Sequence, residues 1–105
     1  PHKNQNKVRA FLSENGYKAE KDYTFKDGKK FYDMMLFTRG KGEYSELEIK
    51  YGKDNLKTRP ADFIEKLRAE AAKKRAILSS TASESLLSEV NKELTELEEI
   101  INGSL

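Results

Sequence analysis

Cysteine and tryptophan are both missing from the 105 residues, and the single histidine is His2, beside the N-terminus. Without cysteine there is no disulfide framework, no thiolate nucleophile and no Cys-ligated zinc. A lone terminal histidine excludes a His-dependent catalytic triad. No apolar run exceeds Met34-Met35-Leu36-Phe37, which is too short for a membrane span or a secretion signal. The expected location is therefore intracellular, in cytoplasm or nucleoid. P-loop, Rossmann glycine, zinc-finger and RNP aromatic patterns are absent as well.

Hydrophobic and charged residues each make up 36% of the chain, which is polar for a folded domain, while 10% aromatics is too many for a disordered tail. The length suits about one domain. The formal charge of +2 hides a split. Residues 1–78 carry 19 Lys and Arg against 12 acids, a net of +7, and residues 79–105 carry Lys92 against six glutamates, a net of −5. That distribution suggests a polyanion-facing body followed by an acidic helix.

Periodicity predicts a helix over about Asn4–Asn15, with Val8, Phe11 and Leu12 on one face and Gly16 as its left-handed cap. From Tyr17 to Tyr51 the apolar period switches to two. Turn chemistry at Asp27-Gly28 and Gly40-Lys41 then predicts a three-stranded antiparallel meander over 19–26, 29–38 and 43–51. Residues 52–59 read as a connection. Pro60 opens a second helix with Ile64, Leu67, Ala71 and Leu78 on its stripe. Ala76–Ser80 either ends that helix or forms a short fourth strand. Thr81 to Glu84 fits a capping box ahead of a third, amphipathic helix from about Ala82 to Ile101. Its seam, Leu87, Val90, Leu94, Leu97 and Ile101, is spaced to cover the chain's own sheet, to hold a partner helix or to form a homodimer. The expected class is α+β, with a core over 1–80, the amphipathic helix over 81–102, and Gly103-Ser104-Leu105 as a vector-derived tail.

Two-residue hairpin loops would place Asp22 opposite Asp33, and Asp33 opposite Glu48, in one row across the sheet. Glu20 and Glu46 would flank that row on one side and Lys50 on the other. Tyr23, Tyr32, Met34, Leu36, Leu47, Ile49 and Tyr51 would form the core face. Directly opposed carboxylates repel, so a cation belongs among them. Lys50 supplies one, and Mg²⁺ or Mn²⁺ is the natural second, since a divalent ion needs only one or two carboxylates plus phosphate oxygens. A solvated charge ladder explains the same residues without a metal.

Helix, meander with Asp in its second strand and Glu-x-Lys in its third, then helix, resembles the PD-(D/E)XK nuclease superfamily. Asn4–Gly52 looks most like Holliday-junction resolvases and phage endonuclease I. The resemblance rests on the Glu-Asn-Gly-Tyr stretch, Tyr32-Asp33-Met34-Met35-Leu36 and Leu47-Glu48-Ile49-Lys50, about half the chain. It implies Asp33 and Glu48 as metal ligands, with Glu20, Asp22 or Gln5 as a further one, and Lys50 activating the attacking water in hydrolysis of DNA phosphodiesters. The expected DNA contacts are Lys53, Lys57, Arg59, Lys66, Lys73 and Arg75. Two other readings stay open. One is a non-catalytic module with the αβββα order of a double-stranded-RNA-binding domain; the other is an interaction or scaffold domain working through the Leu87–Ile101 seam.

Overall fold

A computed structural model describes residues 5–80 and 83–103. The order is α1 (Gln5–Glu14), β1 (Tyr17–Asp27), β2 (Lys30–Arg39), α2 (Glu46–Tyr51), α3 (Lys53–Thr58), α4 (Ala61–Ser80) and α5 (Glu84–Ile101). The class is α+β. The chain divides into two compact units, Pro1–Phe63 and Ile64–Leu105, with the division inside α4. Among the described residues no helix is long and apolar enough to cross a membrane.

In the first unit, α1 closes where Gly16 adopts φ +82°, the conformation that favours glycine at a helix end. The next two strands pair antiparallel around a Gly28-Lys29 turn, so the loop lies one residue later than Asp27-Gly28 suggested. Asp22 faces Met35 and Thr24 faces Asp33, with a bulge between Ala19 and Lys21. The expected opposition of Asp22 and Asp33 is thereby removed. The offset on β2 is an even number of residues, so face membership survives it.

The third strand is not formed; the sheet has two strands. Ser45-Glu46-Leu47-Glu48 is a capping box: the Ser45 hydroxyl accepts from Glu48 N at 3.1 Å and Glu48 Oε1 accepts from Ser45 N at 2.8 Å. This reciprocal cap starts α2 inside the segment where Leu47, Ile49 and Tyr51 alternate like a strand. Gly52, at φ +100°, separates α2 from α3, so the expected connection over 52–59 is mostly helical.

The two sheet faces are also exchanged relative to expectation. Tyr32, Met34 and Leu36, assigned to the core, are 41%, 41% and 49% exposed. Asp22 and Thr24, on the opposite face, are buried. Hydrophobic alternation identified the faces, but the covered one is held by polar bonds. Phe63, also buried, meets the edge of the Tyr51 ring at 6.4 Å.

The second unit is a helical hairpin. Helix α4 continues through Ser80, which excludes a fourth strand at Ala76–Ser80. Ser83 caps α5 by accepting from Leu86 N; Thr81 and Ala82, the start of the expected capping box, lie outside the described residues, as do Asn4, Ser104 and Leu105. Leu67 and Ala71 of α4 are buried with Val90, Leu94, Leu97 and Ile100 of α5. The seam thus closes within its own unit and ends on Ile100 rather than Ile101. Lys74–Glu93 at 2.6 Å and Arg75–Glu98 at 3.2 Å tie the two helices together.

Candidate functional site

The expected carboxylate row is dispersed by the missing strand. Glu48 is committed to the α2 cap, and Glu46 is the first residue of that helix. Lys50 Nζ stands 5.3 Å from the centre of the Tyr51 ring. Glu20, at the bulge, accepts from Thr38 Oγ1 at 2.8 Å and lies 3.8 Å from Lys18 Nζ. Gln5 is the first residue of α1. Asp22 and Asp33 do remain neighbours, joined through Thr24, whose hydroxyl donates to Asp33 Oδ1 at 2.7 Å. Among the described residues no three His, Cys, Asp or Glu side chains converge in a way that could hold a metal ion. The Mg²⁺ or Mn²⁺ site is therefore not built.

A buried polar node takes its place. Arg9 points inward from α1 and donates from Nε to Asp22 Oδ1 and Oδ2 at 3.1 and 2.9 Å. Its Nη1 reaches Ile49 O at 3.2 Å, satisfying the end of α2. Asp22 Oδ2 also accepts from Lys53 N at 3.3 Å. Asn55, fully buried, accepts from Thr24 N at 2.7 Å and donates to Thr24 Oγ1 at 2.9 Å and Tyr51 O at 2.8 Å. Burial pushes the Asp22 carboxyl above its ordinary value; the Arg9 hydrogen bond and charge and the Lys53 amide pull it down, and the charge of Asp33 adds to the rise. Gly52 lies against this node: a Cβ there would meet Asn55 Nδ2 and Asp22 Oδ1 at 3.0 Å and Arg9 Nη2 at 3.1 Å.

The node also closes one edge of the sheet. The outward amides of Asp22, Thr24 and Lys26 on β1 donate to Asp54 Oδ2, Asn55 Oδ1 and Asp62 Oδ2 at 2.9, 2.7 and 2.9 Å. Sequence reasoning missed Arg9, Asp54 and Asn55. The one local signal was Arg9, a cation beside the apolar positions of a predicted helix. Asp54 and Asn55 gave none, because their partners are 31 or 32 residues away.

The expected nucleic-acid contacts are distributed over both units. In the first, Lys57 is exposed near the end of α3, Arg59 is half-buried, and Lys53 Nζ donates to Glu43 O and lies 5.2 Å from the Tyr44 ring centre. In the second, Lys73 is exposed on α4, Lys66 is half-buried, and Arg75 is paired with Glu98. A hollow of about 290 Å³ in that unit is lined by Arg68, Ala71, Arg75, Glu98, Ile101 and Asn102.

An antiparallel hairpin with its helices, followed by a helical hairpin, gives an α+β architecture that recurs within larger solved proteins. It superposes on Streptococcus pneumoniae Sp1610, a candidate tRNA (m1A22) methyltransferase, with a TM-score of 0.86 at 17% identity, covering 96% of this chain and 46% of that one. The m1A22 tRNA methyltransferase TrmK of Bacillus subtilis gives 0.76 at 18% identity, covering 96% and 49%. TrmK of M. capricolum, solved with S-adenosyl-homocysteine, gives 0.78 at 16%, covering 92% and 44%. A sequence profile of the TrmK family, tRNA (adenine(22)-N(1))-methyltransferase, matches residues 1–103, and the chain belongs to that family. No curated protein matches it.

Membership corrects the nuclease expectation: the family is one of methyltransferases, not PD-(D/E)XK endonucleases, and the ligands of its solved relatives are S-adenosylmethionine in Sp1610 and S-adenosyl-homocysteine in M. capricolum TrmK rather than Mg²⁺. The expected DNA substrate goes with it. The Glu48-Ile49-Lys50 triplet that suggested a nuclease strand is a piece of α2.

The chain spans about half the length of these solved relatives. Its described residues do not form a cradle for an adenosyl cofactor. In doubly wound folds that ligand sits beyond the carboxyl ends of parallel strands, beside a glycine-rich turn that opens a helix. Here the sheet is two antiparallel strands joined by Gly28-Lys29, and Gly52, the glycine with the closest polar surroundings, is filled by the Arg9–Asp22–Asn55 node.

Proposed function

We propose that this chain works as part of a tRNA adenine-N1 methyltransferase, contributing scaffold and RNA-facing surface rather than the methyl-donor pocket. One observation carries the reading: the TrmK family profile runs from residue 1 to 103, and the described residues form a two-stranded antiparallel sheet without a parallel-strand cradle for an adenosyl cofactor. The partner is RNA, and the reaction served is methyl transfer to an adenine ring nitrogen, both intracellular. Lys57 and Lys73 are exposed cations suited to phosphate contact. Such contacts position the RNA without reading its sequence.

Calorimetry with S-adenosylmethionine and fluorescence anisotropy with unmodified tRNA test this together. The expected result is no cofactor binding and tRNA binding that weakens as salt rises, with Lys57→Glu and Lys73→Glu each lowering the salt slope by about one. Cofactor binding by this chain alone, or no affinity for tRNA at low salt, overturns the reading.

A further inference from the structure

The turn end of the β1–β2 hairpin is a basic surface. Lys26, Asp27, Gly28, Lys29 and Lys30 are five consecutive exposed residues, and a Cβ at Gly28 would meet nothing within 4 Å. Lys26 Nζ stands 5.6 Å from the centre of the Phe31 ring, its partner across the hairpin. A second basic segment runs beside this end. Asn55 Oδ1 accepts from Thr24 N at 2.7 Å and Asp62 Oδ2 accepts from Lys26 N at 2.9 Å. The α3–α4 corner therefore lies along the last residues of β1, and it carries Lys57 and Arg59. Five cations gather here against two carboxylates: Asp27, which faces Lys30 in the register, and Asp62, which accepts from the Lys26 amide.

Arg59 holds its place against its own backbone preference. Among the described residues it is the one non-glycine residue with positive φ, at +51°. It ends α3 in the left-handed conformation, its amide donating to Asn55 O at 3.1 Å, and Pro60 follows it. Glycine or asparagine adopts that conformation at less cost, and a residue ahead of proline is normally extended. Backbone strain of this kind gathers at functional sites. A long cation where a short residue would fit better, beside the exposed lysines of the turn, points to a use for its charge.

We propose that the hairpin turn and the α3–α4 corner form one phosphate-binding surface for tRNA, with Lys29, Lys30 and Arg59 on the backbone of the bound RNA. This rests on the RNA-partner reading above and extends it from Lys57 to the turn. Charge complementarity selects the occupant: a polyanion offers repeated phosphates that several spaced cations neutralise one by one. Contacts of that kind fix the position of the RNA and leave base recognition to other groups.

Fluorescence anisotropy with unmodified tRNA over a salt series tests this, beside urea denaturation of each variant. Lys29→Ala with Lys30→Ala should lower the salt slope by about two and Arg59→Asn by about one, each contact being worth roughly ten-fold in affinity at about 50 mM salt. Arg59→Asn should also leave the urea midpoint unchanged or raised, since asparagine suits a left-handed residue. Arg59→Lys keeps the charge and should keep the slope. Lys41→Ala, past the opposite end of the hairpin, should change neither quantity.

Unchanged slopes in the turn and Arg59→Asn variants, with tRNA still bound, overturn the proposal and leave the RNA reading standing. An equal fall in Lys41→Ala also overturns it, because the attraction would then be to net charge rather than to a site. A lower urea midpoint in Arg59→Asn at an unaltered slope would make Arg59 a structural cation and remove it from the surface. The turn variants change exposed residues, so they decide the matter even where Arg59→Asn unfolds the corner. Vesicles containing phosphatidylserine form the last arm: binding to them that the same variants abolish, beside unaltered tRNA binding, would assign the turn to a membrane surface instead. No tRNA binding by the unaltered chain at low salt overturns the RNA reading itself, and this surface with it.

Discussion

Arg9 Nε lies 2.9 Å from Asp22 Oδ2, and the two residues are 2% and 0% exposed. The pair joins α1 to the middle of β1, and through Arg9 Nη1 and Lys53 N it also holds the α2–α3 junction. Four elements therefore meet at one ion pair. Removing one partner strands a buried charge, which costs about 3–5 kcal/mol. Arg9→Met and Asp22→Leu should each destabilise by that order in urea denaturation. The double variant should cost clearly less than their sum, because no lone charge remains. Additive losses would mean that the charges are not coupled in the folded state.

Gly52 is conformationally and sterically constrained at once. Its φ of +100° disfavours an L side chain, and a Cβ would press on Asn55 Nδ2, Asp22 Oδ1 and Arg9 Nη2 at 3.0–3.1 Å. Gly52→Ala should cost about 1–3 kcal/mol from backbone strain, with a further loss as the node shifts. Gly28→Ala is the control. It too has positive φ, but nothing stands within 4 Å, so only the backbone cost applies. Thermal melts of both variants check the difference, with Gly52→Ala expected to be the lower.

Tyr44 should ionise late. Burial, with help from the charges of Asp22 and Glu48, pushes its hydroxyl from 10 up to about 12, against weaker pulls from the Ala19 main chain and Arg9. A folded-state value above the unfolded one means that the folded chain holds the proton more tightly. The resulting stabilisation is complete below pH 10 and is lost as pH rises through about 12. Absorbance at the tyrosinate band should show one late step, and stability should fall across that window. In Tyr44→Phe the late step and this part of the alkaline fall should both disappear. A late step that survives in the variant would assign it to another tyrosine.

The parts of this fold written in local periodicity were legible: α1 ending at Gly16, two strands around Gly28, and two long helices with Pro60 ahead of the first. What failed was a six-residue helix whose Leu47, Ile49 and Tyr51 alternate as strand residues do. Only the Ser45–Glu48 cap, a side-chain bond, decides for helix there. The loss of Glu48 from the row descends from it, because a third strand was needed to set Glu48 opposite Asp33, whereas Asp22 lost its place opposite Asp33 to the one-residue shift of the hairpin turn. The node was illegible for a different reason. Arg9, Asp22 and Asn55 are apolar-position exceptions whose compensation comes from 13 to 40 residues away. Within β1 and β2 the sheet faces were sorted correctly and assigned in reverse, since a face rich in Tyr, Met and Leu reads as core while the face that is buried here is held by polar bonds.

The α5 seam offers a direct test of helix phase. Regular three-and-four spacing from Leu87 runs to Ile101, yet Ile100 is 2% exposed while Ile101 is only half-buried against the hollow beside Arg68 and Arg75. Truncating a fully buried isoleucine removes its transfer energy and leaves a cavity, about 2–5 kcal/mol in all. Ile100→Ala should lie within that range, and Ile101→Ala should cost about 1 kcal/mol or less, since much of its surface stays in water. Leu94→Ala, one turn and a half earlier on the buried side, should match Ile100→Ala. Solution mass should stay that of a monomer in all three, because the seam is satisfied by Leu67 and Ala71 of α4 rather than by a second chain. If Ile101→Ala proves the costlier of the two isoleucine variants, the helix is rotated by about 100° from the phase described, and the Lys74–Glu93 and Arg75–Glu98 pairs would have to be redrawn with it.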